Sequence, residues 1–315
     1  MCYFKFSQYL KSKFGTKVHK VSVDAGFSCP NKDGKIGSGG CIFCDNKGFS
    51  FNTRLPSRPL EIQIEEGIKA GKRRFKAERF IVYFQAYTNT YAPLSELKAR
   101  YDVIKKYPEV VGLSIATRPD CIDEPILDLI NSYTDHYEVW LEYGLQSIHQ
   151  KTLDFINRGH YFDAFLKAVQ LTRSKTNIKI CCHVIIGLPY EWSKKETKQM
   201  IRETAREIGN MELEGIKIHP LHIIKGTKLE TIFREGGYQP LELEEYVELA
   251  VEFLEYLSPN TVVQRISADC PKDWLVAPLW ILNKQQVIRT IEKRLKERAT
   301  FQGAKQRDKK KEQEN

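Results

Sequence analysis

Residues 29–44 of this 315-residue chain read CPNKDGKIGSGGCIFC and place three cysteines in a loop that is rich in glycine and turn-forming residues. Cys41 and Cys44 have the Cys-x-x-Cys spacing that lets two thiolates reach one metal centre. Eleven residues separate Cys29 from Cys41, and the glycines among them let the loop fold back towards the pair. Three thiolates without an obvious fourth ligand predict a metal site with one open position, which is typical of catalytic centres.

The composition indicates a chain with a packed core and no membrane span. Hydrophobic residues make up 42% of the sequence, and the length allows one large domain with an appendage, or two domains. We find neither an apolar run of about 18 residues nor a signal peptide, so we expect a cytoplasmic protein. Eight cysteines are too few and too unevenly placed for a disulfide scaffold, so the clustered thiols indicate metal ligands.

The formal net charge of +9 favours a polyanionic partner, and nucleic acid is the first candidate. Enzymes of anionic metabolites are often basic as well, so the charge does not name a substrate. Part of the excess lies in residues 301–315, which we predict to be a basic disordered tail.

Buried strands and amphipathic helices alternate along the chain after the first 16 residues. The strands are predicted at 21–23, 80–84, 110–115, 137–143, 178–186 and 215–219. Helices are predicted between them at 60–75, 93–106, 125–133, 161–174 and 193–208. This alternation predicts an α/β fold with a parallel sheet, in which the site lies at the carboxyl ends of the strands. The cysteine loop directly follows the first strand and therefore belongs to that edge.

We divide the chain into four parts: an N-terminal amphipathic segment at 1–16, a core at 17–235, a C-terminal extension at 236–300 and the tail at 301–315. The extension is predicted to contain an acidic helix over 241–257, an additional strand over 262–266 and helix over 278–298. We interpret the glutamates between 242 and 255 as a solvated helix face.

A strand, a three-cysteine loop ending in Cys-x-aromatic-Cys and a sixfold strand–helix alternation resemble the radical S-adenosylmethionine (SAM) superfamily. The long gap between the first two cysteines is similar to the group that includes the catalytic subunit of the elongator complex, and in particular to the YhcC/YtqA-type proteins. Residues 84–93, 117–120 and 181–189 resemble the same group. The resemblance implies a partial (β/α)6 radical SAM barrel with a mainly helical C-terminal extension.

The resemblance also implies the cofactors and the residues that hold them. Cys29, Cys41 and Cys44 would ligate a 4Fe–4S cluster whose open iron binds SAM. A reductant such as flavodoxin or ferredoxin would supply the electron that cleaves SAM to a 5′-deoxyadenosyl radical. Phe43 would contact the adenine of SAM, and Gln85 its amino group. Gln146 and Arg158 would together contact its carboxylate, and His183 its ribose.

The substrate that the resemblance implies is tRNA. The reaction would take 5-carboxymethylaminomethyl-(2-thio)uridine at the wobble position towards the 5-aminomethyl form, and the basic chain suits such a partner. One alternative is a radical SAM enzyme acting on a small porphyrinogen-like molecule, since oxygen-independent coproporphyrinogen oxidase shares the Gln-x11-Arg spacing of Gln146 and Arg158. The other is a zinc-stabilised RNA-binding protein in which His19 or Cys2 is the fourth zinc ligand.

Structural roles stay open for several of these residues when only the sequence is considered. A surface ion pair is as compatible with the sequence at Arg158 as SAM binding is. Gln146 is also compatible with a helix cap, and His183 with a hydrogen-bonded core position. His219 and His222 are considered as residues lining the site, but we prefer to interpret them as turn residues beside Pro220. A substrate-facing position is considered for three residues after the last predicted strand, but we do not assign them to the site: Arg265, Asp269 and Cys270.

Overall fold

The computed structural model describes residues 2–189 and 194–306. Its strands are β1 (Val18–Val23), β2 (Arg79–Phe84), β3 (Val110–Thr117), β4 (Glu138–Gln146), β5 (Lys179–Ile186), β6 (Gly215–Pro220), β7 (Ile223–Ile224), β8 (Val262–Arg265) and β9 (Leu275–Ala277). Its α-helices are α1 (Phe6–Phe14), α2 (Leu60–Phe75), α3 (Leu94–Tyr101), α4 (Glu124–Asn131), α5 (Gln150–Phe155), α6 (Phe162–Lys175), α7 (Lys194–Asn210), α8 (Lys228–Arg234), α9 (Leu243–Tyr256) and α10 (Lys284–Glu297).

Seven strands form one sheet in the order β1-β2-β3-β4-β5-β6-β8, and every neighbouring pair is parallel. The sheet curls into a half-barrel with helices alongside, which confirms the predicted partial (β/α)6 barrel and its helical extension. Strand β8 comes from the extension and adds a seventh strand beside β6, as the additional strand predicted there. The predicted start of a helix at residue 193 lies outside the described residues.

The outer face of the sheet packs against the helices and forms the main hydrophobic core. On β2, Phe80, Val82 and Phe84 are fully buried in this core, together with Ile64 of α2. Burying each such side chain stabilises the fold by about 1.5–3 kcal/mol. Alternate residues of the same strands face the barrel interior.

Strand β4 shows how the interior is layered. Its inward positions are Glu138, Trp140, Glu142, Gly144 and Gln146, two residues apart. The first two contact α1, which closes the amino end of the barrel: the rings of Phe6 and Tyr9 meet that of Trp140 edge-on, with centroids 5.7 and 5.8 Å away. The last three line a cavity at the carboxyl end. Glu142 therefore lies in a layer between an aromatic plug and the cavity.

The C-terminal extension is more closely packed than its sequence indicated. Glu252 and Glu255 are buried, where they pair with Arg202 of α7 and with Lys305, so the interpretation of all these glutamates as solvated is wrong. Residues 301–306, assigned to the tail, contain the buried Gln302, whose amide donates to the carbonyls of Ser258 and Thr261 at 2.6 and 2.7 Å. The remainder of the predicted tail, 307–315, lies outside the described residues.

Within the described residues, no helix combines the length and the apolar character that crossing a bilayer requires.

Candidate active site

A cavity of about 210 Å³ lies at the carboxyl ends of the strands. All the side chains that the sequence analysis assigned to the cluster or to SAM line its wall: Cys29, Phe43, Cys41, Cys44, Gln85, Gln146, Arg158 and His183. These residues come from the loops and ends of strands β1, β2, β4 and β5 and from the turn after α5, so only the folded, curled sheet brings them together.

The cysteine loop is held against the turn that follows α5. Asn31 donates from Nδ2 to the carbonyl of Asn157 at 2.6 Å, and Asn157 donates from its own Nδ2 to the carbonyl of Gly40 at 2.8 Å. Gly40 has a φ of 78°, a conformation that glycine adopts without strain. The reciprocal amide bonds fix Cys41 next to residues 157 and 158.

Hydrogen-bond donors point at the sulfur of Cys41. The Arg158 Nη1 lies 3.6 Å from Cys41 Sγ, and the Asn31 Nδ2 lies 3.8 Å from it. Burial and the neighbouring Cys41 and Cys29 thiols raise the pKa of Cys44 to about 12, while the positive charges of Lys32 and Arg158 oppose that rise. The three thiols therefore lie close enough to influence one another, and the nearby donors and cations partly offset the effect of burial, which opposes ionisation.

The zinc ligands considered from the sequence are not in this cavity. His19 lies near the amino end of β1, where its ring stacks on Phe75 with centroids 4.4 Å apart. Cys2 lies outside the cavity wall and packs against the main core. No three His, Cys, Asp or Glu side chains within residues 2–189 and 194–306 are placed to hold a single metal ion. His19 and Cys2 as fourth ligands are thus contradicted.

Arg158 is held by backbone contacts and not by a surface ion pair. Its side chain is buried and donates from Nη2 to the carbonyl of Gly144 at 2.5 Å. Arg118, which forms a two-pronged ion pair with Asp120 at 2.9 and 2.8 Å, donates to the Arg158 carbonyl at 2.9 Å. Arg158 has no carboxylate partner among the described residues, and its buried Nε has no hydrogen-bond partner there. The surface ion pair considered for Arg158 is therefore wrong.

Gln146 occupies a strained position at the end of β4. Its φ is 78°, and the register with β5 shifts between Gly144 and Gln146. Gln146 does not cap α5, because the N-cap residue of that helix is His149. A Cβ at Gly144 would lie 2.8 Å from Arg158 Nη2 and 2.9 Å from Gln146 Nε2, so only glycine leaves room for both side chains. Strain at a cavity wall is typical of functional positions.

Comparison with protein families identifies the superfamily of the chain. The radical SAM superfamily model matches residues 34–208, more than half of the chain, and the radical SAM C-terminal domain model matches residues 213–297. The chain belongs to the radical SAM superfamily. Enzymes of this superfamily use a 4Fe–4S cluster and SAM, and the chain is therefore a radical SAM enzyme.

Relatives place this radical SAM enzyme among the YhcC/YtqA-type proteins. It is 40% identical to Protein YhcC of Escherichia coli strain K12, over 89% of this chain and 87% of that protein. It is 31% identical to the tRNA uridine(34) acetyltransferase of Methanocaldococcus jannaschii over 53% of this chain, which covers only 30% of that protein. The structure of Methanocaldococcus infernus Elp3 with an N-terminal deletion superposes with a TM-score of 0.63 at 20% identity, over 88% of this chain and 63% of that one, and shows the shared fold.

The radical SAM barrel also contains a buried charged layer that the sequence analysis missed. The fully buried Glu142 carboxylate accepts from Lys20 Nζ at 2.7 Å and His183 Nε2 at 2.8 Å, and it also pairs with Lys217. Lys217 donates in turn to the Tyr83 hydroxyl at 3.1 Å. The sequence contained a signal for this layer, because a charged residue inside an otherwise apolar strand indicates a buried charge. Glu142 lies within the strand predicted at 137–143 and Lys217 within that at 215–219.

Two ammonium groups around one carboxylate set the protonation of this layer. The charges of Lys20 and Lys217 outweigh the opposing effect of burial and hold the pKa of Glu142 well below its ordinary value. Burial, with the charge of Lys217, lowers the pKa of His183 to about 4, so its imidazole is neutral at pH 7. His183 is both hydrogen-bonded in the interior and exposed to the cavity. The two roles considered for it from the sequence are therefore compatible.

The far wall of the cavity contains residues that the sequence analysis did not assign to the site. His219 lies within β6, so its interpretation as a turn residue is wrong, whereas His222 lies in the two-residue connection between β6 and β7. Both line the cavity, in agreement with the alternative considered from the sequence. Arg265 at the end of β8 and the nearby Asp269 line it as well. Cys270 is absent from the wall and packs beside Ala268 and Leu275.

Proposed function

We propose that this radical SAM enzyme modifies the wobble uridine of tRNA and takes 5-carboxymethylaminomethyl-(2-thio)uridine towards the 5-aminomethyl form. The proposal has three parts, namely the residues that hold the cofactors, the class of substrate and the position of the modified base.

We assign Cys29, Cys41 and Cys44 as the ligands of the 4Fe–4S cluster. Three thiols on one cavity wall, with guanidinium and amide donors directed at Cys41, fit the donor set of an iron–sulfur centre with one open position. When bound, the cluster supplies an electron that cleaves SAM to a 5′-deoxyadenosyl radical. The superfamily needs a reductant for this, and we assign that role to flavodoxin or ferredoxin.

We assign SAM binding to five cavity residues: Phe43, Gln85, Gln146, Arg158 and His183. The buried Nε of Arg158 is without a partner in the described residues, and a carboxylate placed in the cavity would satisfy it. The Gln85 amide donates from Nε2 to the Phe49 carbonyl at 3.1 Å, which leaves its oxygen as an acceptor for an ammonium group. Phe43 supplies an apolar surface for an aromatic base.

The observation that carries the RNA assignment is a set of cation–aromatic pairs that we call the mouth rim. The Lys32–Tyr87 pair lines the cavity itself, and the Lys35–Tyr91 pair lines a second pocket. The cations of all four pairs lie in the chain between β1 and α2. Each pair places a cation over a ring, at 5.6 Å for Lys32 and Tyr87, 5.0 Å for Lys35 and Tyr91, 5.5 Å for Lys47 and Trp274, and 5.5 Å for Arg54 and Phe51. None of the four cations forms an ion pair with a carboxylate of the described chain. Phe51 is exposed and the other three rings are partly exposed. Unpaired cations beside such rings suit phosphates and unstacked bases, the features of an RNA loop.

The position of the base is inferred from the partial relative. The tRNA uridine(34) acetyltransferase of Methanocaldococcus jannaschii shares 31% identity over 53% of this chain. That protein acts on uridine 34, the wobble position, and the shared segment favours the same position for this enzyme. The small-molecule alternative lacks a comparable observation, since a mouth rim of this kind is unnecessary for a porphyrinogen.

The decisive experiment is a comparison of tRNA nucleosides from a deletion strain and its parent by liquid chromatography and mass spectrometry. We expect 5-carboxymethylaminomethyluridine forms to accumulate and 5-aminomethyl forms to decrease in the deletion strain. Wild-type protein should restore the profile, whereas the Cys41→Ala variant should not. An unchanged profile in a strain that uses this modification would overturn the tRNA assignment.

The mouth rim is tested separately by RNA affinity. Replacing Lys35 and Lys47 with alanine should weaken binding of an anticodon stem-loop about tenfold or more and reduce its salt dependence, because two phosphate contacts are lost. The matched control replaces Arg73 and Arg74 with alanine: both are exposed, form no ion pair within the described residues, and lie in the last turn of α2 just before β2, at the opposite end of the barrel. Equal effects of the rim and control variants would contradict the assignment.

A further inference from the structure

Arg265 presents free hydrogen-bond donors to the cavity. It terminates β8, and its nearest carboxylate is Asp269, at 3.7 Å. Lys284 holds that same carboxylate at 2.8 Å, so Asp269 only weakly compensates the guanidinium. Within the described residues, Arg265 forms no other ion pair, and it lines the cavity wall. An arginine in this setting is suited to a carboxylate, which its planar fork binds through two parallel hydrogen bonds.

His222 presents an acceptor to the same wall. Its Nδ1 lies 3.3 Å from the Pro220 carbonyl, which can only accept, so Nδ1 carries the proton and Nε2 is the free acceptor. The Nε2 atom is buried and has no hydrogen-bond partner in the described part of the chain. Burial, reinforced by the charge of Arg265, lowers the pKa of His222 and keeps the imidazole neutral. A buried acceptor without a partner is costly, and a bound ligand that donates to it removes that cost.

A donor fork and an acceptor therefore occupy the same region of the cavity wall. Arg265 and Asp269 lie 3.7 Å apart, both line the cavity with His222, and the charge of Arg265 acts on the His222 ring. The sheet order places this region, next to β6 and β8, at the edge opposite β1, which leads into the cysteine loop. A substrate lying across the cavity would thus have one end near the cysteines and the other near Arg265 and His222.

We propose that Arg265 and His222 form a substrate subsite for a group that combines an amine with a carboxylate, Arg265 binding the carboxylate and His222 Nε2 accepting a hydrogen bond from the amine. This proposal rests on the proposed function, because the carboxymethylaminomethyl substituent of the uridine carries such a group. The subsite distinguishes the substrate from its product, since the aminomethyl form retains the amine and lacks the carboxylate.

The test is binding of two synthetic anticodon stem-loops to the full-length, anaerobically reconstituted enzyme, measured by fluorescence anisotropy. One RNA carries 5-carboxymethylaminomethyluridine and the other 5-aminomethyluridine. We expect the wild-type enzyme to bind the first at least about tenfold more tightly, the usual contribution of a charge-assisted hydrogen bond. Arg265→Gln should bind the two RNAs with Kd values within about threefold of each other.

Two further variants separate a specific subsite from general charge and folding effects. Lys225→Gln removes one exposed positive charge outside the cavity wall and should change both Kd values by the same factor. His222→Phe should weaken binding of both RNAs, whereas His222→Gln, whose carbonyl oxygen can occupy the position of Nε2, should remain within about threefold of wild type. Iron content and SAM binding confirm that each variant is folded.

The outcomes separate this proposal from the function on which it rests. If the wild type prefers the carboxymethylaminomethyl RNA and Arg265→Gln preserves that preference, the subsite is wrong and the proposed function stands. If the wild type prefers neither RNA, the subsite is also wrong. In that case the nucleoside profile of the deletion strain decides whether the function fails with it.

Discussion

Replacing Glu142 with glutamine should destabilise the enzyme far more than the same change at Glu138. Both carboxylates are inward positions of β4, with side chains 0 and 1% exposed. Their partners differ, because the Lys20 and Lys217 side chains around Glu142 are 19 and 5% exposed, whereas those of Lys13 and Lys179 around Glu138 are 42 and 30% exposed. A lysine side chain that reaches solvent can rotate so that water hydrates its ammonium group when its carboxylate partner is lost, which limits the loss of stability.

The magnitude follows from the charge that Glu142→Gln leaves behind. Removing one partner of a buried ion pair costs about 3–5 kcal/mol. Burial lowers the pKa of Lys217 to about 7 even beside Glu142, and loss of the carboxylate lowers it further. Relative to wild type, Lys217 therefore adds about 1.4 kcal/mol to the penalty for each pH unit below 7 and little above that pH. Glu138→Gln should cost about 1–2 kcal/mol.

The assay is urea unfolding of the metal-free, full-length chain with reduced thiols, followed by tryptophan fluorescence at pH 6 and pH 7.5. At pH 6 the folded wild type keeps a Lys217 proton that the folded variant rejects, so the stability of Glu142→Gln should rise with pH relative to wild type. Equal losses for Glu142→Gln and Glu138→Gln at pH 6 would refute the reasoning. So would a penalty for Glu142→Gln that grows between pH 6 and pH 7.5.

Further substitutions test the cysteine loop, the Gly144 contact and the C-terminal packing. Cys41→Ala should reduce the iron of the reconstituted enzyme from about four atoms per chain to nearly none. Cys121, which lies outside the cavity wall, is the control, and Cys121→Ala should retain the iron. Equal iron contents in the two variants would contradict the ligand assignment. Gly144→Ala should raise the Kd for SAM in equilibrium dialysis about tenfold or more, since its Cβ would meet Arg158 Nη2 at 2.8 Å; an unchanged Kd would count against that contact. Gln302→Ala breaks buried hydrogen bonds of 2.6, 2.7 and 2.8 Å and should cost about 2–4 kcal/mol in urea unfolding; a loss below about 1 kcal/mol would favour a tail that does not stabilise the fold.

The residues that the sequence assigned to the site share a local signal. Cys29, Cys41 and Cys44 stand in one loop, and the loop follows a strand of recognisable periodicity. Gln146 and Arg158 lie at the two ends of a short segment that leaves β4 and returns through α5. Spacing within one loop or one strand–helix turn restricts where side chains can go, and the resemblance to the radical SAM superfamily then supplied a role for each of these positions before the sheet was known.

Residues that meet across the barrel lacked such a signal. Lys20, Glu142 and Lys217 lie on β1, β4 and β6, and their contact depends on the register and curvature of the whole sheet. The orientation of His222 and Arg265 depends in the same way on how β8 joins β6. Burial of Glu252 depends on the packing of α7 against α9.

The sequence by itself determined the family, the alternation of strands and helices and the loop in which the thiols lie, because covalent spacing and hydrophobic periodicity are properties of short segments. Only the tertiary structure decided which polar side chains face the cavity and which charges share a buried layer. Those contacts join residues far apart in the chain, and a shift of one residue in strand register would turn each of these side chains to the opposite face of the sheet.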